Sequence, residues 1–367
     1  MTDYHIDPAM GSDSNDGLSP ETAWASLTNV NNRVFKAGDR VRFKAATNLN
    51  AVLRIYNLDG TSQPISYEVY GGSKAPRFTG IKASACKAIA LSGLMSDGPD
   101  GILISNVQGA TLTDLESQRA FGNGLEIKLS SGVKVTGGRF HDNGHIKSGG
   151  AKIGHGILVG GGTGAGPVTI TRARCYSNME DGIQIAAQAV DGCVVEGCCM
   201  YDNKEDGVDV KIGSHSFVGN MLWGNAQRAM GLHLNCKVTE LSGNTMHCYR
   251  YALTVADGAS VRATKNGFVS LIKSGVLLAP TAASSAFSGD VFATADPKMK
   301  AIDNQSTQPQ VVDKTTTLGS YNWIKTPTDA EGVDVDNPSG EGESDEDEDE
   351  DGEEASAVTA ISDSRET

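Results

Sequence analysis

Short segments with an apolar residue at every second position recur through the middle of the chain. Four of them nearly superpose, and each passes through a glycine into an alternating stretch; they are residues 152–159, 180–185, 205–210 and 229–234. Their glycines follow one another at intervals of 26, 25 and 24 residues and are Gly156, Gly182, Gly207 and Gly231. Alternation with a period of 2 indicates half-buried β-strands, and a constant interval of this length indicates a structural repeat.

A repeat of this length favours a coil of parallel strands over other repeat folds. Helical repeats do not fit, because the apolar period is 2 and glycines interrupt the segments. A propeller blade needs ~40 residues or more. Coils built of several short strands, each rising by about one strand spacing of ~4.8 Å, account for both the period and the interval. We therefore predict an all-β, right-handed, single-stranded parallel β-helix, with Gly182, Gly207 and Gly231 in one column.

Asparagines recur upstream of the repeated glycines, at Asn178, Asn203 and Asn225. In a stack of identical turns such amides can hydrogen-bond to one another along the ladder, as stacked amides do in cross-β structures. The sequence therefore predicts an asparagine ladder inside the turns.

The periodic region, residues 46–295, is flanked by segments of different character. Residues 1–45 are predicted to form an N-terminal cap, because an open coil end would expose strand edges and core. Within the cap, Asp13 and Asp16 could bind a cation, although such residues more often close turns. Residues 296–338 lose the period and are interpreted as a packed C-terminal extension.

The net charge of −14 is concentrated at the C-terminus. Residues 341–367 contain 13 acids and one arginine, so the other 340 residues carry a net charge of only about −2. A near-neutral body without a basic stripe argues against nucleic-acid binding. High charge with few apolar residues predicts a disordered acidic tail over residues 339–367, which is either simply solvated or docks on a basic partner.

The surroundings of the protein are only partly indicated. No apolar run approaches the ~20 residues of a membrane span, and the first five residues lack the basic and apolar parts of a signal peptide. The seven cysteines are odd in number and form no CxxC pair, so free core thiols are expected. The protein would be extracellular if it is secreted from a longer precursor, and otherwise on a virion surface.

Acidic residues converge where two of the repeats begin. Asp181 and Asp206 each precede an aligned glycine and so fall in one column, with Glu205 adjacent and Asp209 three residues further on. Carboxylates this close repel one another unless a cation neutralises them, and an all-oxygen set suits Ca²⁺ better than Zn²⁺. These four acids are therefore a predicted Ca²⁺ site. The competing interpretation is that Asp-Gly pairs merely suit the turns.

This acid pattern resembles the calcium site of family-nine pectate lyases, within the pectate-lyase-like β-helix superfamily. In that family two adjacent acids, a third acid three positions on and one from the preceding coil bind the ion, and a lysine on a nearby coil abstracts the proton. The specific match covers residues 181–209. It departs in two places, since Glu205 stands where aspartate is usual and the column of Asp209 is expected to continue as His233 instead of lysine.

The resemblance implies β-elimination on an acidic polysaccharide, which requires a base and groups that neutralise the uronate carboxylate. His233 is a candidate base because an ordinary histidine is largely neutral at pH 7, and Lys211 is a second candidate. Arg228 is a candidate clamp for the substrate carboxylate. An Asp/Glu pair for glycoside hydrolysis on the same ladder is also conceivable.

Three functions stay open at this stage. The acid ladder favours a calcium-dependent polysaccharide lyase-like protein that acts on or binds acidic polysaccharide. The free cysteines, the acidic tail and the lack of a predicted signal peptide favour a non-enzymatic virion protein, which would decorate a capsid or form part of a tail and contact other virion proteins. A phage-borne depolymerase, expected to be trimeric, would combine the two. The fold alone does not decide among them.

Overall fold

Parallel strands make up nearly all of the regular structure. The computed structural model describes residues 1–146, 152–162, 165–186, 191–294, 302–312 and 317–318. Within these residues the helical elements are a 3-10 turn, Pro20–Thr22, and a short α-helix, Thr28–Asn31. Neither has the length and apolar character needed to cross a membrane.

Three sheets run along the coil axis, and a full coil adds one strand to each. Sheet 1 contains Asp3–Ile6, Arg40–Lys44, Ile65–Tyr70, Lys87–Ser92, Gln108–Thr113, Val133–Thr136, Val168–Thr171, Val194–Glu196, Ser214–Val218, Lys237–Ser242, Ser260–Thr264, Ala286–Ser288 and Val311–Val312. Sheet 2 contains Arg77–Phe78, Met95–Asp97, Glu116–Gln118, Arg139–His141, Arg174–Tyr176, Cys199–Tyr201, Met221–Trp223, Thr245–Cys248, Gly267–Ser270, Val291–Thr294 and Thr317–Leu318. Sheet 3 contains Val52–Tyr56, Gly80–Ser84, Ile102–Ser105, Leu125–Lys128, Ile157–Val159, Ile183–Ile185, Val208–Val210, Arg228–Leu232, Tyr251–Val255, Val276–Leu278 and Ile302–Asn304. An antiparallel pair, His145–Ile146 with Lys152–Ile153, projects from one coil.

The alternation of the sequence becomes the inside and outside of the coil. Strands Ile183–Ile185 and Val208–Val210 pair in register, and their first and last residues are fully buried in the core. The residues between them, Gln184 and Asp209, therefore lie on the outer face of sheet 3. The predicted parallel coil is confirmed. The outward residues of successive paired strands form a column along the sheet.

The predicted asparagine ladder is also confirmed. The Nδ2 groups of Asn178 and Asn203 each donate to the Oδ1 of the next asparagine at 2.9 Å, ending at Asn225, and Asn143 extends the row by one coil. A second row of buried side chains stacks in the same way; its members are Asn220, Asn244, Asn266 and Asp290. Because these amides also bind backbone groups of the turns, they satisfy polar atoms that would otherwise be buried unpaired.

The predicted glycine column is right for Gly182 and Gly207 but wrong for Gly231. The amide of Ile183 donates to the carbonyl of Gly207, whereas Gly231 pairs with Asp209. The cause is a shorter coil. Stacked asparagines are 25 residues apart from Asn178 to Asn203 but only 22 apart from Asn203 to Asn225.

Side chains of the N-terminal segment form hydrogen bonds within its loops and at the edge of sheet 3. Asp13 accepts hydrogen bonds from the amides of Ala25 and Ser26, and Asp16 accepts from the amide of Leu18, so both aspartates serve the turns. Asn31 covers the edge of sheet 3, since its side chain donates to the carbonyl of Val52 and accepts from the amide of Arg54. This side chain replaces the neighbouring strand that the edge lacks.

The parallel ladder continues past residue 295, with one more strand in each sheet. The rest of the predicted extension, residues 296–338, and the whole predicted tail, residues 339–367, lie outside the described residues. All seven cysteines are free, as predicted, and all but the half-buried Cys199 are buried.

Candidate functional site

Three columns of residues on the outer side of sheet 3 build the candidate site, which we call the acid site. The first column lies at the start of the strands; His155, Asp181 and Asp206 come just before their strands, and Arg228 is the first residue of strand Arg228–Leu232. The second is the outward position of the strands and contains Leu158, Gln184, Asp209 and Gly231. The third lies just after the strands and includes Lys211 and His233. Backbone pairing in the sheet thus fixes which side chains lie next to one another on adjacent coils.

Three of the four predicted metal ligands come together. Carboxylate oxygens of Asp181, Asp206 and Asp209 lie within 4.8 Å of one another, and the residues are only 2%, 1% and 4% exposed. Glu205 is half-buried and does not belong to this group. Its neighbour in the preceding coil, Glu180, directs its carboxylate to the amide of Gly154 at 2.7 Å. The acids of the first column are therefore Asp181 and Asp206, the aspartates that directly precede Gly182 and Gly207.

Each of the three aspartates has a basic partner. Arg228 forms two contacts with Asp206, from Nη2 to Oδ2 at 2.6 Å and from Nε to Oδ1 at 2.9 Å. Lys211 Nζ lies 2.5 Å from Asp209 Oδ2. His155 Nδ1 lies 3.3 Å from Asp181 Oδ2. The predicted carboxylate clamp, Arg228, is thus engaged within the protein.

Burial outweighs the contact with Arg228 in setting the pKa of Asp206. Burial raises the pKa of this carboxyl to about 7; Arg228 opposes the shift, and the charges of Asp181 and Asp209 add to it. An acid with a pKa near neutrality in a cluster of like charges is the kind of perturbation that marks functional sites.

His155 is a member of the site that the sequence analysis did not identify. Burial favours its neutral form, but the hydrogen bond to Asp181 and the charges of Asp181, Glu180 and Asp209 outweigh burial and raise its pKa. The signal was present in the sequence, because His155 directly precedes Gly156 as Asp181 precedes Gly182.

One carboxylate oxygen in the site lacks a donor. Among the described residues, Asp209 Oδ1 is buried and has no hydrogen-bond partner. Gln184 bridges the other oxygens, donating to Asp181 Oδ2 at 3.2 Å and to Asp209 Oδ2 at 3.3 Å. A buried, unpaired carboxylate oxygen is costly and calls for a cation or another polar group at this point.

His233 was predicted to follow Asp209 in its column, and this is wrong because the short coil places Gly231 there. His233 instead follows Lys211 in the third column, and its Nε2 still lies 3.6 Å from Asp209 Oδ1. Gly231 creates the space. A Cβ at this position would lie 3.0 Å from Arg228 Cζ and 3.1 Å from His233 Nε2. The glycine thus lets Arg228 cross the strand to reach both the acid and the imidazole.

Comparison with known proteins places this fold. A family profile described as "Right handed beta helix region" matches residues 79–246 and 151–292, which together span more than half of the chain. The chain belongs to the right-handed β-helix family. The predicted right-handed β-helix is thereby confirmed. No curated protein matches the sequence.

Solved structures with this β-helix fold include enzymes and a viral protein. An alginate lyase from Paenibacillus sp. str. FPU-7 is 17% identical with a TM-score of 0.52, over 63% of this chain and 88% of that one. ORF18 of Geobacillus virus E2 is 12% identical with a TM-score of 0.50, over 80% of this chain and 56% of that one. The pectate lyase Pel9A is 13% identical over 91% of this chain and 84% of that one, and its TM-score of 0.44 carries no argument. At these identities the similarities establish the fold and nothing further.

Proposed function

We propose that this β-helix protein acts on or binds an acidic polysaccharide at the acid site, as a calcium-dependent lyase-like protein. The observation that carries the proposal is the buried group of Asp181, Asp206 and Asp209, held within 4.8 Å and bordered by basic side chains. Like charges in such a group are tolerated when a cation or a positively charged partner is present. A uronate chain brings further carboxylates, which basic groups on the same face can bind.

The donor set fits a hard cation. It consists of carboxylate oxygens, and Asp209 Oδ1 is buried without a hydrogen-bond partner among the described residues. Asp181, Asp206 and Asp209 would hold the ion, which when bound would neutralise a uronate carboxylate and the charge that develops on it. Because Arg228 and Lys211 already contact two of these acids, we expect weak binding, with a Kd on the order of 10⁻⁴–10⁻³ M.

The basic residues of the acid site have different proposed roles. The side chain of Lys211 is 31% exposed at the edge of the site, so it can reach a substrate carboxylate or act as a base. His233 turns Nε2 toward Asp209 and is 18% exposed, which makes it the other candidate base. Arg228 holds Asp206 and fixes one side of the imidazole by a contact of 3.2 Å from Nη1 to Nε2. We assign it a positioning role in place of substrate clamping.

The decisive experiment is an absorbance assay for unsaturated uronate product. Pectate, alginate and bacterial capsular polysaccharide are incubated with the protein in the presence of Ca²⁺ or of a chelator. Product is expected with Ca²⁺ and is expected to be lost in the chelator and in Asp206→Ala. Asp142→Ala, which changes an acid on sheet 2, serves as the matched control and should retain activity. Absence of product from every substrate would reject the lyase activity.

A structural role in a virion is the second candidate, and one observation favours it. Each of the three aspartates already has a basic partner within 3.3 Å, so the site can be stable as a self-contained ion cluster. The viral ORF18 shows that a virus uses the same fold. In this case Ca²⁺ would change the stability little, and none of the polysaccharides would yield product.

A further inference from the structure

We infer that Asp257 is a positioning residue, which fixes the tautomer of His233 so that the Nε2 lone pair faces the acid site. This inference rests on the proposed function for its catalytic meaning. Its structural part concerns only one carboxylate, one imidazole and one guanidinium, and can be tested without any activity.

Asp257 lies in the turn after strand Tyr251–Val255, one coil beyond His233. Its Oδ2 is 3.2 Å from His233 Nδ1. The backbone around it is held in place, since the amide of Asp257 donates to Thr281 Oγ1 and the carbonyl accepts from the amide of Asn235, both at 2.8 Å. Asp257 adopts a φ of 51°, in the left-handed region that aspartate tolerates better than most residues. The carboxylate is therefore presented from a defined turn, although the side chain is half exposed.

The partners of the two ring nitrogens of His233 differ in kind. An arginine can only donate, and an ionised carboxylate can only accept. Arg228 Nη1 lies 3.2 Å from Nε2, so Nε2 must accept and carries the lone pair. Asp257 faces Nδ1, so Nδ1 must carry the proton. Both contacts select the same neutral tautomer.

The other tautomer would be opposed at both ends. Its Nε2–H would point at the guanidinium of Arg228, and its Nδ1 lone pair would face the carboxylate of Asp257. The selected tautomer directs the lone pair of Nε2 toward the acid site, where the contact with Arg228 at 3.2 Å offsets the repulsion from Asp209 Oδ1 at 3.6 Å. A general base needs its lone pair aimed at the proton that it takes, so Arg228 would have to yield this nitrogen to a substrate, and a partner on the other ring nitrogen commonly sets the direction. Asp257 provides this partner.

The chain contains a matched control for this arrangement. On sheet 2, Asp142 Oδ2 lies 2.7 Å from His141 Nδ1, an aspartate–histidine pair of the same kind away from the acid site. Asp142→Ala should alter the imidazole of His141 and leave His233 unchanged. Asp257→Ala should do the reverse.

The test is long-range ¹H–¹⁵N NMR of the histidine side chains in the full chain, in the presence of a chelator. Wild-type His233 should show the Nδ1–H pattern. In Asp257→Ala this pattern should give way to a mixture or to the Nε2–H form, and Asp257→Asn serves as the second variant if the alanine variant does not fold. An unchanged His233 pattern in the folded variant would overturn the inference.

Kinetics then separate the inference from the proposed function. If a uronate polysaccharide is cleaved, Asp257→Ala should lower kcat by about 10–100-fold with little change in KM, a loss similar to that caused by removing the partner of a metal-binding histidine. An equal loss caused by Asp142→Ala would overturn the positioning role. If no polysaccharide is cleaved but the NMR pattern changes as expected, the tautomer assignment stands and the lyase proposal fails.

Discussion

Two clusters of charged residues in this β-helix differ in how their charges are compensated. On sheet 2, Glu116 lies between Arg139 at 2.8 Å and His141 at 3.1 Å, and His141 also contacts Asp142. Positive and negative groups alternate there, and the ring of His141 stacks on Tyr176 with centroids 4.6 Å apart. On sheet 3, three aspartates face one another and one of their oxygens has no donor among the described residues.

The acids of the two clusters respond accordingly. Burial acts to raise the pKa of Glu116, but the hydrogen bonds and charges of His141 and Arg139 outweigh it and lower the pKa. Burial of Asp206 is not offset in this way, and its pKa rises to about 7. The sheet 2 cluster is an example of structural ion pairing in this fold. The acid site departs from that pattern, and this departure is the physical reason to assign it a ligand.

The largest expected effect comes from removing the central acid. Asp206→Ala leaves the guanidinium of Arg228 partly buried without its bidentate partner, which should lower the free energy of unfolding by about 3 kcal/mol. Urea unfolding monitored by circular dichroism measures the loss. The double variant Asp206→Ala, Arg228→Met is the control and should recover part of it. A loss below about 1 kcal/mol would mean that the pair behaves like an exposed one.

Gly231→Ala tests the geometry of the acid site without removing a charge. The new Cβ would lie 3.0–3.1 Å from Arg228 Cζ, Asp206 Oδ2 and His233 Nε2, so these groups must separate. Overpacking of this kind should cost about 2 kcal/mol and lower any lyase activity. Gly122→Ala is the matched control, because nothing lies within 4 Å of its added Cβ. Equal stability of the two variants, measured by thermal unfolding, would contradict this account of Gly231.

The sequence predicted the coil and half of the site for identifiable reasons. Alternation and a nearly constant interval fix the strands, and the column of Asp181 and Asp206 follows from the glycines beside them. The predicted register is wrong at Gly231, because an alignment of the glycines does not show that this coil has only 22 residues. The asparagine spacing from Asn203 to Asn225 carried the correct register and would have paired Gly231 with Asp209.

The remaining parts of the site could not be read from spacing. His155 and Arg228 complete the acid column only once the register is known, and their charges then bracket the two aspartates. Glu205 is next to Asp206 in sequence, yet it is not part of the carboxylate group. Glu205 lies in a bend before strand Val208–Val210, and its place next to Asp206 in the sequence does not bring its carboxylate into the group.

Calcium should bind the acid site and not the sheet 2 cluster, because, among the described residues of the two, only the acid site has a buried carboxylate oxygen without a hydrogen-bond partner. At ten times its Kd, Ca²⁺ that binds only the folded protein should raise the free energy of unfolding by about 1.4 kcal/mol. Asp209→Asn should remove most of this gain, whereas Glu116→Gln should keep it. Thermal unfolding with and without Ca²⁺ measures the gain, and calorimetry without binding heat at millimolar Ca²⁺ would exclude the metal site.

The last contrast between the clusters is their pH dependence, measured in chelator by urea unfolding. For Asp206 the folded pKa of about 7 exceeds the ordinary value of 3.8, so its contribution to stability is greatest below pH 3.8 and is lost as the pH rises through about 7. For Glu116 the folded pKa lies below the ordinary 4.5, so its contribution is present above pH 4.5 and is lost as the pH falls through the folded pKa. Asp206→Asn should therefore flatten the stability profile between pH 4 and 7, and Glu116→Gln should flatten it below pH 4.5.

His141 adds a check at higher pH. Its pKa is raised above 6.5, because Glu116 and Asp142 outweigh the effect of burial, so its contribution holds below pH 6.5 and fades as the pH rises through the folded value. Profiles that change in the same pH window for Asp206→Asn and Glu116→Gln would show that the two clusters are electrostatically alike, and the main physical argument for a ligand at the acid site would be lost.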